Sequence, residues 1–552
     1  MDLSFDHLMA HLASPQLHVA FAAAPALLQP QRNKKHNSNN NNNHKNNNNN
    51  NNNNHKNNHK NANYYNNNNN NNVALRVVGS SASSRAQKAG PLASPRVVPA
   101  GGASVAASSS LACGSILAAA ATSRPRGRSR RLRRRFAHAR QSQSLPEEHR
   151  WLLHLDLEGF GSELRELGRR LRAEQGEADM EHLRTIVLWS DICALVGLAT
   201  LWMEPNLLTV LALGLWTHAR WTMIGHHTIH RGYDRLDPSG HFSSRRFALG
   251  GTWGRRVSDW FDWMLPEAWS VYHNQVHHYR VNEPADPDFF EKYVGSWKLN
   301  KGFMTLMSML FFKWAFAAPN TYKALKMAEY RKSGKPLPAG FDPQITMTIY
   351  QVVRLERLGQ GIFTFQEFIC NVLGPYFLLH FVLLPLPFAL LGPTLYWHAV
   401  ANLVLAELLA NIHGFCVTTF NHTGDDVYSF ERGCRPSSPT FFLRAVIGSA
   451  NCSTGGDVND FLHGYLNYQI EHHLWPDLSM LSYRKAQPQV KAICKKHGVP
   501  YVQEDIFSRL RKVFGIFLGQ SRMRKFPDHL EREADLMAWK DGSSQLVSQA
   551  FG

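Results

Sequence analysis

Apolar residues concentrate in four long segments in the second part of the chain. They cover about 185–203, 207–224, 368–391 and 395–420. Segments of about 20 apolar residues can cross the hydrocarbon core of a bilayer, which is roughly 30 Å thick. Short turns at 204–206 and 392–394 divide them into two pairs. The pattern predicts an all-α integral membrane protein with four transmembrane helices in two hairpins.

The positions of Lys and Arg predict how these hairpins are oriented. Both turns lack Lys and Arg, whereas the intervening region, 225–367, and both flanks are rich in them. Because positive residues favour one side of a membrane, the region 225–367 and both flanks are expected on one side and both turns on the other. The parts on the positive side are predicted to form one helical cap. A shorter apolar segment, 303–318, carries Lys313 and is predicted as an interfacial or buried helix rather than a fifth span.

The rest of the chain divides by composition. Residues 1–146 include a long Asn tract and an Arg-rich run, and they cannot bury enough apolar surface to fold. Residues 147–184 carry Leu164, Leu167 and Leu171 at helical spacing, which predicts an amphipathic lead-in at the membrane surface or packed on the part that follows. A membrane-embedded domain is predicted over 185–506, and a polar C-terminal tail over 507–552.

Charge separates the first segment from the rest. Residues 1–146 hold 19 Lys and Arg but only two acidic residues, so they carry nearly all of the formal net charge of +18. The remaining residues are close to neutral, which argues against a nucleic-acid-binding protein. Acid-poor leaders rich in Ser, Ala and Arg are typical of organellar transit peptides. A plastid (chloroplast) membrane is therefore the favoured location, and the endoplasmic reticulum membrane is the alternative.

Three histidine-rich stretches lie between and after the apolar segments. The first contains His226, His227 and His230, and the second contains His273, His277 and His278. The third has Gln469 three positions before the adjacent His472 and His473. Imidazole is the commonest side-chain metal ligand, and positions i and i+4 of a helix share a face. Three such stretches in one chain indicate a shared metal site. The seven Cys are scattered and contain no CxxC pair, which argues against a zinc ribbon or a disulfide framework.

These stretches resemble the histidine boxes of membrane fatty acid desaturases, with the patterns HxxxH, HxxxHH and QxxHH. The third pattern is similar to that of "front-end" desaturases, although the His-Pro-Gly-Gly motif of a fused cytochrome b5 domain is absent. The resemblance implies two iron ions in a non-haem di-iron centre, with O2 as co-substrate. The implied ligands are His226, His230, His273, His277, His278, His422, His472 and His473.

The resemblance leaves other ligands and the electron supply open. His422 is expected at the end of the fourth span, with His413 as its competitor. Gln469 is expected to bind weakly or through water, and His227 is a further candidate. The implied electron donor is external, either ferredoxin or cytochrome b5.

The expected reaction is the introduction of a cis double bond into a fatty acyl chain carried by a lipid, coenzyme A or acyl carrier protein. Histidine spacing does not separate this reaction from hydroxylation of a fatty acyl, sphingoid or carotenoid substrate. A metal transporter with histidine-lined sites is a remote alternative, because the histidines of a transporter should lie within the spans, whereas these stretches lie between and after them. Double-bond position and chain length are not encoded in these motifs.

Overall fold

The computed structural model describes residues 145–249, 253–260 and 263–537. The predicted extension, 1–146, lies outside these residues except for its last two positions, so its targeting role stays a prediction. The described residues are mostly helical and contain two pairs of two-residue parallel strands. Tyr428–Ser429 pairs with Arg524–Lys525, and Asn451–Cys452 pairs with Gln503–Glu504.

The helices are short around the histidine stretches and long elsewhere. The α-helices are Leu157–Glu174, Glu177–Ala199, Leu207–His218, His226–Ile229, Trp253–Asp259, Pro266–Tyr272, His278–Arg280, Phe290–Gly295, Lys301–Leu310, Ala318–Ser333, Ile349–Arg357, Phe365–Phe368, Gly374–Leu378, Leu386–Ala389, Pro393–His422, Pro439–Ile447, Asp457–Leu462, Gln469–Leu474, Met480–His497 and Ile506–Phe517. The π-helical turns are Ala219–Gly225, His273–His277, Phe312–Ala317, Ile369–Leu373 and Leu379–Leu383. The 3₁₀ turns are Glu147–His154, Leu466–Tyr468, Asp528–Leu530 and Glu533–Asp535.

Three helical stretches of the described chain are long and apolar enough to cross a membrane: Glu177–Ala199, Phe365–Ala389 and Pro393–His422. Large apolar side chains such as Leu195, Leu378 and Trp397 are exposed on them, which fits contact with lipid. The predicted second span, 207–224, forms the helix Leu207–His218 and then a π-turn. The prediction of four spans in two hairpins is therefore confirmed only as far as a mostly helical protein with three span-like helices.

The segment predicted as interfacial, 303–318, is sharply bent. Lys301–Leu310 and Phe312–Ser333 meet at an angle of 92°, and together they are apolar enough to count as a fourth, broken span. At the bend, the backbone N–H of Lys313 donates to Asn411 Oδ1 on the Pro393–His422 helix, at 2.8 Å. Its ammonium pairs with Glu407 and donates to the Tyr376 hydroxyl at 2.9 Å, which neutralises a buried charge.

One buried amide joins the first two apolar helices to the long one. Asn402 of the Pro393–His422 helix donates to the carbonyls of Leu201 and Met203, at 3.1 and 2.9 Å, and accepts from the N–H of Asn206 at 3.2 Å. These groups lie in the turn before Leu207–His218, where backbone polar groups need partners once buried. Asn402 thus fixes the turn on the long helix.

Amphipathic helices at both ends of the described chain pack on the rest of the protein. Leu164, Leu167 and Leu171 of the lead-in are buried in the protein, and the membrane-surface position stays a prediction. The segment predicted as a polar tail, 507–552, differs from expectation, because it begins within the helix Ile506–Phe517. Val513 and Phe517 of that helix are fully buried, so the hydrophobic core extends beyond residue 506.

Candidate metal centre

The three histidine stretches meet in the structure. Each stretch lies on a short helical piece: His226–Ile229, the π-turn His273–His277 followed by His278, and Gln469–Leu474. Together with His422, their ring nitrogens form two groups of histidines in which the ligand atoms lie within 4.8 Å of one another. The five-histidine group is His226, His230, His273, His278 and His472, and the three-histidine group is His277, His422 and His473.

The five-histidine group draws on all three stretches. His273 Nε2 lies 2.8 Å from His226 Nε2 and 3.2 Å from His278 Nε2. The Nε2 atoms of His230 and His472 are buried and have no hydrogen-bond partner. Several imidazoles whose nitrogens converge this closely have the arrangement of ligands around one cation.

The π-turn explains how the second stretch serves both groups. In a π-turn the residues five positions apart align, instead of those four apart. His273 therefore shares the five-histidine group with His278 rather than with His277, the i+4 partner suggested by the spacing. His277 lies instead beside His422 and His473, at ring-centroid distances of 4.8 and 5.0 Å.

The three-histidine group includes an amide neighbour. His422 Nε2 and His473 Nε2 are 3.1 Å apart, and the Gln469 amide nitrogen lies 2.8 Å and 3.1 Å from them. The two ends of an amide have the same shape, so its flipped orientation presents Oε1 to the same point. Asn421 Nδ2 donates to Gln469 Oε1 at 3.2 Å, and the flipped orientation would lose this hydrogen bond.

Burial favours the neutral form of most of the ligand histidines. Burial lowers the pKa of His226, His230 and His472 well below the ordinary value, and neighbouring imidazoles lower it further. Burial alone would also lower the pKa of His277, but Asp286 and Asp288 outweigh it and raise that pKa. Since a metal binds neutral imidazole, low pKa values leave the lone pairs available for coordination near neutral pH.

Contacts behind the rings orient several of them. His226 Nδ1 donates to the Thr222 carbonyl at 3.1 Å, and His277 Nδ1 contacts Asp286 Oδ1 at 3.0 Å. His472 Nδ1 lies 3.3 Å from the Tyr483 hydroxyl. Such partners fix which nitrogen faces a metal and increase the basicity of the imidazole.

Two other candidate histidines lie outside both groups. His227 is buried, and its Nδ1 donates to the Met223 carbonyl at 2.9 Å. His413 stacks on His218 with ring centroids 3.7 Å apart, and its Nε2 donates to the Leu462 carbonyl at 2.7 Å. Of the two histidines near the end of the Pro393–His422 helix, His422 thus lies at the site and His413 does not.

Arg509 is a site-supporting residue that the sequence reasoning missed. Its buried guanidinium donates to the carbonyls of Phe420 and Thr423, at 3.0 to 3.1 Å, and pairs with Asp426 at 2.8 Å. These carbonyls lie on either side of His422, where a helix end leaves them without helical partners. Arg509 falls in the predicted polar tail, and no spacing motif marks it.

An apolar cavity lies against one side of both groups. It is lined by Trp221, Thr222, His226, Trp263, Trp269, Tyr272, His273, His277, Asp288, Phe312, Ala317, Thr321, Thr418, Asn421, His422, Leu466 and Gln469. Asp288 also groups with His273 and His277 as a possible ligand, and it accepts from the Tyr272 hydroxyl. The site therefore combines buried neutral imidazoles with an adjoining apolar space.

Eight converging imidazoles beside span-like apolar helices define a histidine-rich protein able to hold metals at a membrane. The model of the fatty acid desaturase family matches residues 200–505, more than half of the chain. The chain belongs to this family, as its histidine stretches predicted.

Individual relatives match over different shares of their length. The chain is 37% identical over 119 residues to the acyl-lipid (9-3)-desaturase of Physcomitrium patens, which is 22% of this chain and only 20% of that protein. It is 27% identical over 135 residues to the Delta(6)-fatty-acid desaturase fat-3 of Caenorhabditis elegans, 24% of this chain and 28% of the relative. A longer match, 23% identical over 370 residues, covers 63% of this chain and 76% of the NADPH-dependent stearoyl-CoA 9-desaturase of Mycobacterium tuberculosis.

Proposed function

We propose that the protein is a membrane-bound, O2-dependent desaturase that introduces a cis double bond into a fatty acyl chain. The observation that carries this proposal is the apolar cavity, which touches His226 and His273 of the five-histidine group and His277 and His422 of the three-histidine group. An alkyl chain in this cavity would lie against both groups. Membership of the desaturase family supports the same reaction.

The two groups would hold a pair of iron ions. His226, His230, His273, His278 and His472 would bind one, and His277, His422 and His473 the other, with Gln469 as a weak or water-bridged ligand. When bound, the iron pair supplies the O2 activation that no amino-acid side chain provides. Imidazole also binds zinc and copper, so the identity of the metal is testable. We expect about two iron atoms per chain by elemental analysis of anaerobically purified protein; a zinc-only preparation with full activity would contradict the proposal.

The residues of this chain provide positioning and exclusion of water. Trp221, Trp263 and Phe312 line the cavity beside the histidines, so an acyl chain bound there displaces water and buries apolar surface. Asp286 and Tyr483 hold His277 and His472 in their orientations from behind. A hydrocarbon has no polar group for recognition, so the shape of the cavity would select the carbon atom that reacts.

We propose a topology of four spans in two hairpins, with the histidines on one side of the membrane. The turns at 204–206 and 392–394 lack Lys and Arg, and Asn402 holds the first turn against the long helix. Glycosylation or cysteine-labelling sites placed in each turn should report the same side. Labelling of the two turns from opposite sides would contradict this topology.

The proposed cellular location determines which electron donor is available. The Arg-rich, acid-poor residues 1–146 support import into a plastid, where ferredoxin would supply electrons. Retention in the endoplasmic reticulum would pair the enzyme with cytochrome b5. A fluorescent fusion of the full chain distinguishes these locations, and reconstitution with each carrier identifies the donor.

Expression in a yeast that lacks polyunsaturated fatty acids tests the reaction. We expect new acyl chains that are lighter by two hydrogens, with the double bond located by fragmentation. A gain of one oxygen would indicate the hydroxylase alternative, which uses the same kind of site. Absence of both products, with the protein present in the membrane and loaded with iron, would contradict the proposed function.

A further inference from the structure

A further cluster of histidines lies beside the candidate metal centre without joining it. It consists of His218 in the second apolar segment, His413 in the fourth, and His463 in the loop that follows the helix Asp457–Leu462. None of the three belongs to either ligand group. His218 and His463 are only 1% and 8% exposed, so they are buried titratable side chains to which the metal centre gives no role.

A tight loop brings this cluster together. His413 Nε2 donates to the Leu462 carbonyl at 2.7 Å, and the His413 ring stacks on His218 with centroids 3.7 Å apart. Gly464 has a φ of +63° and passes so close that a Cβ atom there would lie 3.0 Å from His218 Nε2. His463, between these two loop residues, is therefore held against the stacked pair and interacts electrostatically with both of its imidazoles.

Hydrogen bonds determine which ring nitrogens carry lone pairs. His463 Nδ1 donates to the Asn459 carbonyl at 2.8 Å, so the lone pair of His463 is on Nε2. The Thr222 hydroxyl donates to the His218 carbonyl at 2.8 Å and accepts from His218 Nε2 at 3.4 Å, so the lone pair of His218 is on Nδ1. Both of these nitrogens are buried and have no hydrogen-bond partner among the described residues. Each imidazole can therefore accept a proton at one nitrogen and release one from the other.

The cluster extends from near the protein surface to the apolar cavity. At the outer end, His463 follows the short helix Asp457–Leu462, whose first residue is exposed. At the inner end, Thr222 lines the apolar cavity together with His226. The Thr222 carbonyl accepts from His226 Nδ1, which leaves the hydroxyl of the same residue available for a different role.

We propose that His463, His218 and Thr222 form a proton relay from solvent to the apolar cavity. This inference rests on the proposed desaturase function. Desaturation converts one –CH2–CH2– unit and one O2 into –CH=CH– and two waters, and it consumes two electrons from the external donor and two protons from solvent. A proton passes from His463 to His218 Nδ1, and the proton on His218 Nε2 moves to the Thr222 oxygen. The original hydroxyl proton of Thr222 passes to the oxygen that is being reduced in the cavity.

A relay is needed because the apolar cavity is a poor path for protons. Its aromatic lining and a bound acyl chain exclude water, and an isolated charge is costly to move through such a space. Burial lowers the pKa of His463 against the opposing effects of the Asn459 carbonyl and Asp460, so this ring is neutral near neutral pH and does not retain a proton. His413 would repel His218 if both rings were charged, so the stacked pair holds at most one proton. We assign His413 a packing role.

Two substitutions interrupt the relay, and a third serves as the matched control. His218→Phe keeps an aromatic ring but removes both nitrogens, and Thr222→Val keeps the branched shape but removes the hydroxyl. The control His413→Phe keeps a ring on the other side of the same stack. We expect each relay variant to lower kcat about tenfold or more, with the KM for the acyl substrate within about twofold of wild type, because a positioned proton donor contributes about 10²- to 10⁴-fold. The control should retain kcat.

Two further kinetic readouts separate proton delivery from packing. The solvent deuterium isotope effect on kcat should increase in His218→Phe and Thr222→Val, because proton delivery then limits the rate, and it should stay unchanged in His413→Phe. His218→Ala leaves space for a free imidazole, and added imidazole should restore part of its activity. If His218→Phe and Thr222→Val behave like His413→Phe in these measurements, the relay is overturned.

Deuterium exchange at the C2 carbon of each imidazole, measured by mass spectrometry on the iron-free protein, tests the path without turnover. This exchange requires water to reach the ring. We expect His218 to exchange in wild type and at least about threefold more slowly in His463→Phe, which closes the outer end of the path. His227, which is buried and donates to the Met223 carbonyl, is the reference and should not change. Equal exchange at His218 in the two proteins overturns the relay.

The relay and the desaturase function fail separately. If wild-type protein forms no unsaturated product but His463→Phe slows exchange at His218, the desaturase proposal fails and the path from solvent stands. If product forms equally well in His218→Phe and Thr222→Val, the relay fails and the desaturase proposal stands. Melting temperatures and iron contents close to those of wild type confirm that the variants are folded and loaded.

Discussion

The five-histidine group and the three-histidine group are built in different ways. All members of the first come from the three histidine stretches, whose local helical geometry turns them toward one point. The second needs His422 from the end of the Pro393–His422 helix, and that end is held by Arg509 from a later helix. The comparison teaches that one metal position is encoded mainly by short-range spacing, while the other depends on contacts between distant segments.

The largest effect is expected from breaking the group encoded by the boxes. His472→Ala removes a ligand that lies beside His226, His230 and His278. We expect product to fall below detection and bound iron to fall by roughly half or more, because a structural ligand set rarely tolerates the loss of one member. Fatty-acid profiling and elemental analysis measure both. The control His529→Ala, at an exposed position, should retain iron and product.

The second-largest effect is expected from replacing Arg509, which should affect the three-histidine group and not the five-histidine group. Arg509→Met removes the donor to the carbonyls of Phe420 and Thr423 and leaves Asp426 with Lys512 as its remaining cation, and breaking a buried ion pair costs about 3–5 kcal/mol. We expect a lower melting temperature and loss of iron from the three-histidine group. Thermal-shift measurement in detergent and iron content test this. The neighbouring exposed Arg511→Met is the control, and equal stability of the two variants would refute the role of Arg509.

A smaller effect is expected from the carboxylate behind His277. Asp286→Asn keeps the shape of the side chain but removes the charge that contacts His277 Nδ1 at 3.0 Å. Loss of such a partner typically costs about 10- to 100-fold in metal affinity or activity. Iron titration of the apoprotein should show one weakened site and one unchanged site. Asp342→Asn, at an exposed position, should leave both sites unchanged, whereas equal weakening of both would contradict the separate grouping.

The smallest effect concerns Gln469. Its amide lies within 3.1 Å of His422 and His473, but an amide is a weaker ligand than imidazole. We expect Gln469→Ala to reduce turnover by less than about tenfold, with iron still bound. A loss as large as that of His472→Ala would show that Gln469 is a full ligand. Gln520→Ala provides the exposed control.

The sequence predicted those parts of the site that depend on short-range geometry. The ligands of the first and third stretches needed only spacing, and the span-like helices needed only long apolar segments. The pairing of His273 with His278 was not predictable from i, i+4 spacing, because it depends on a π-turn. Arg509 could not be found either, since its importance comes from a tertiary contact with Phe420 and Thr423.

The fold also divides into features that local sequence predicts and features that depend on tertiary contacts. The amphipathic stripe of the lead-in was visible in the sequence, and its leucines are buried in the protein. The bend between Lys301–Leu310 and Phe312–Ser333 was not visible in the sequence; in the structure the buried Lys313, which pairs with Glu407, lies at this bend. Long-range pairing of a buried charge has no local signature.

Arg509 follows every proposed ligand along the chain, and this order has a consequence for biogenesis. During translation the five-histidine group and all three members of the other group are synthesised before the guanidinium that secures His422. Segments made earlier can fold before later ones emerge. The nascent enzyme would then pass through a stage with one finished iron position and one loose position, and insertion of the second ion would be a late event in its maturation.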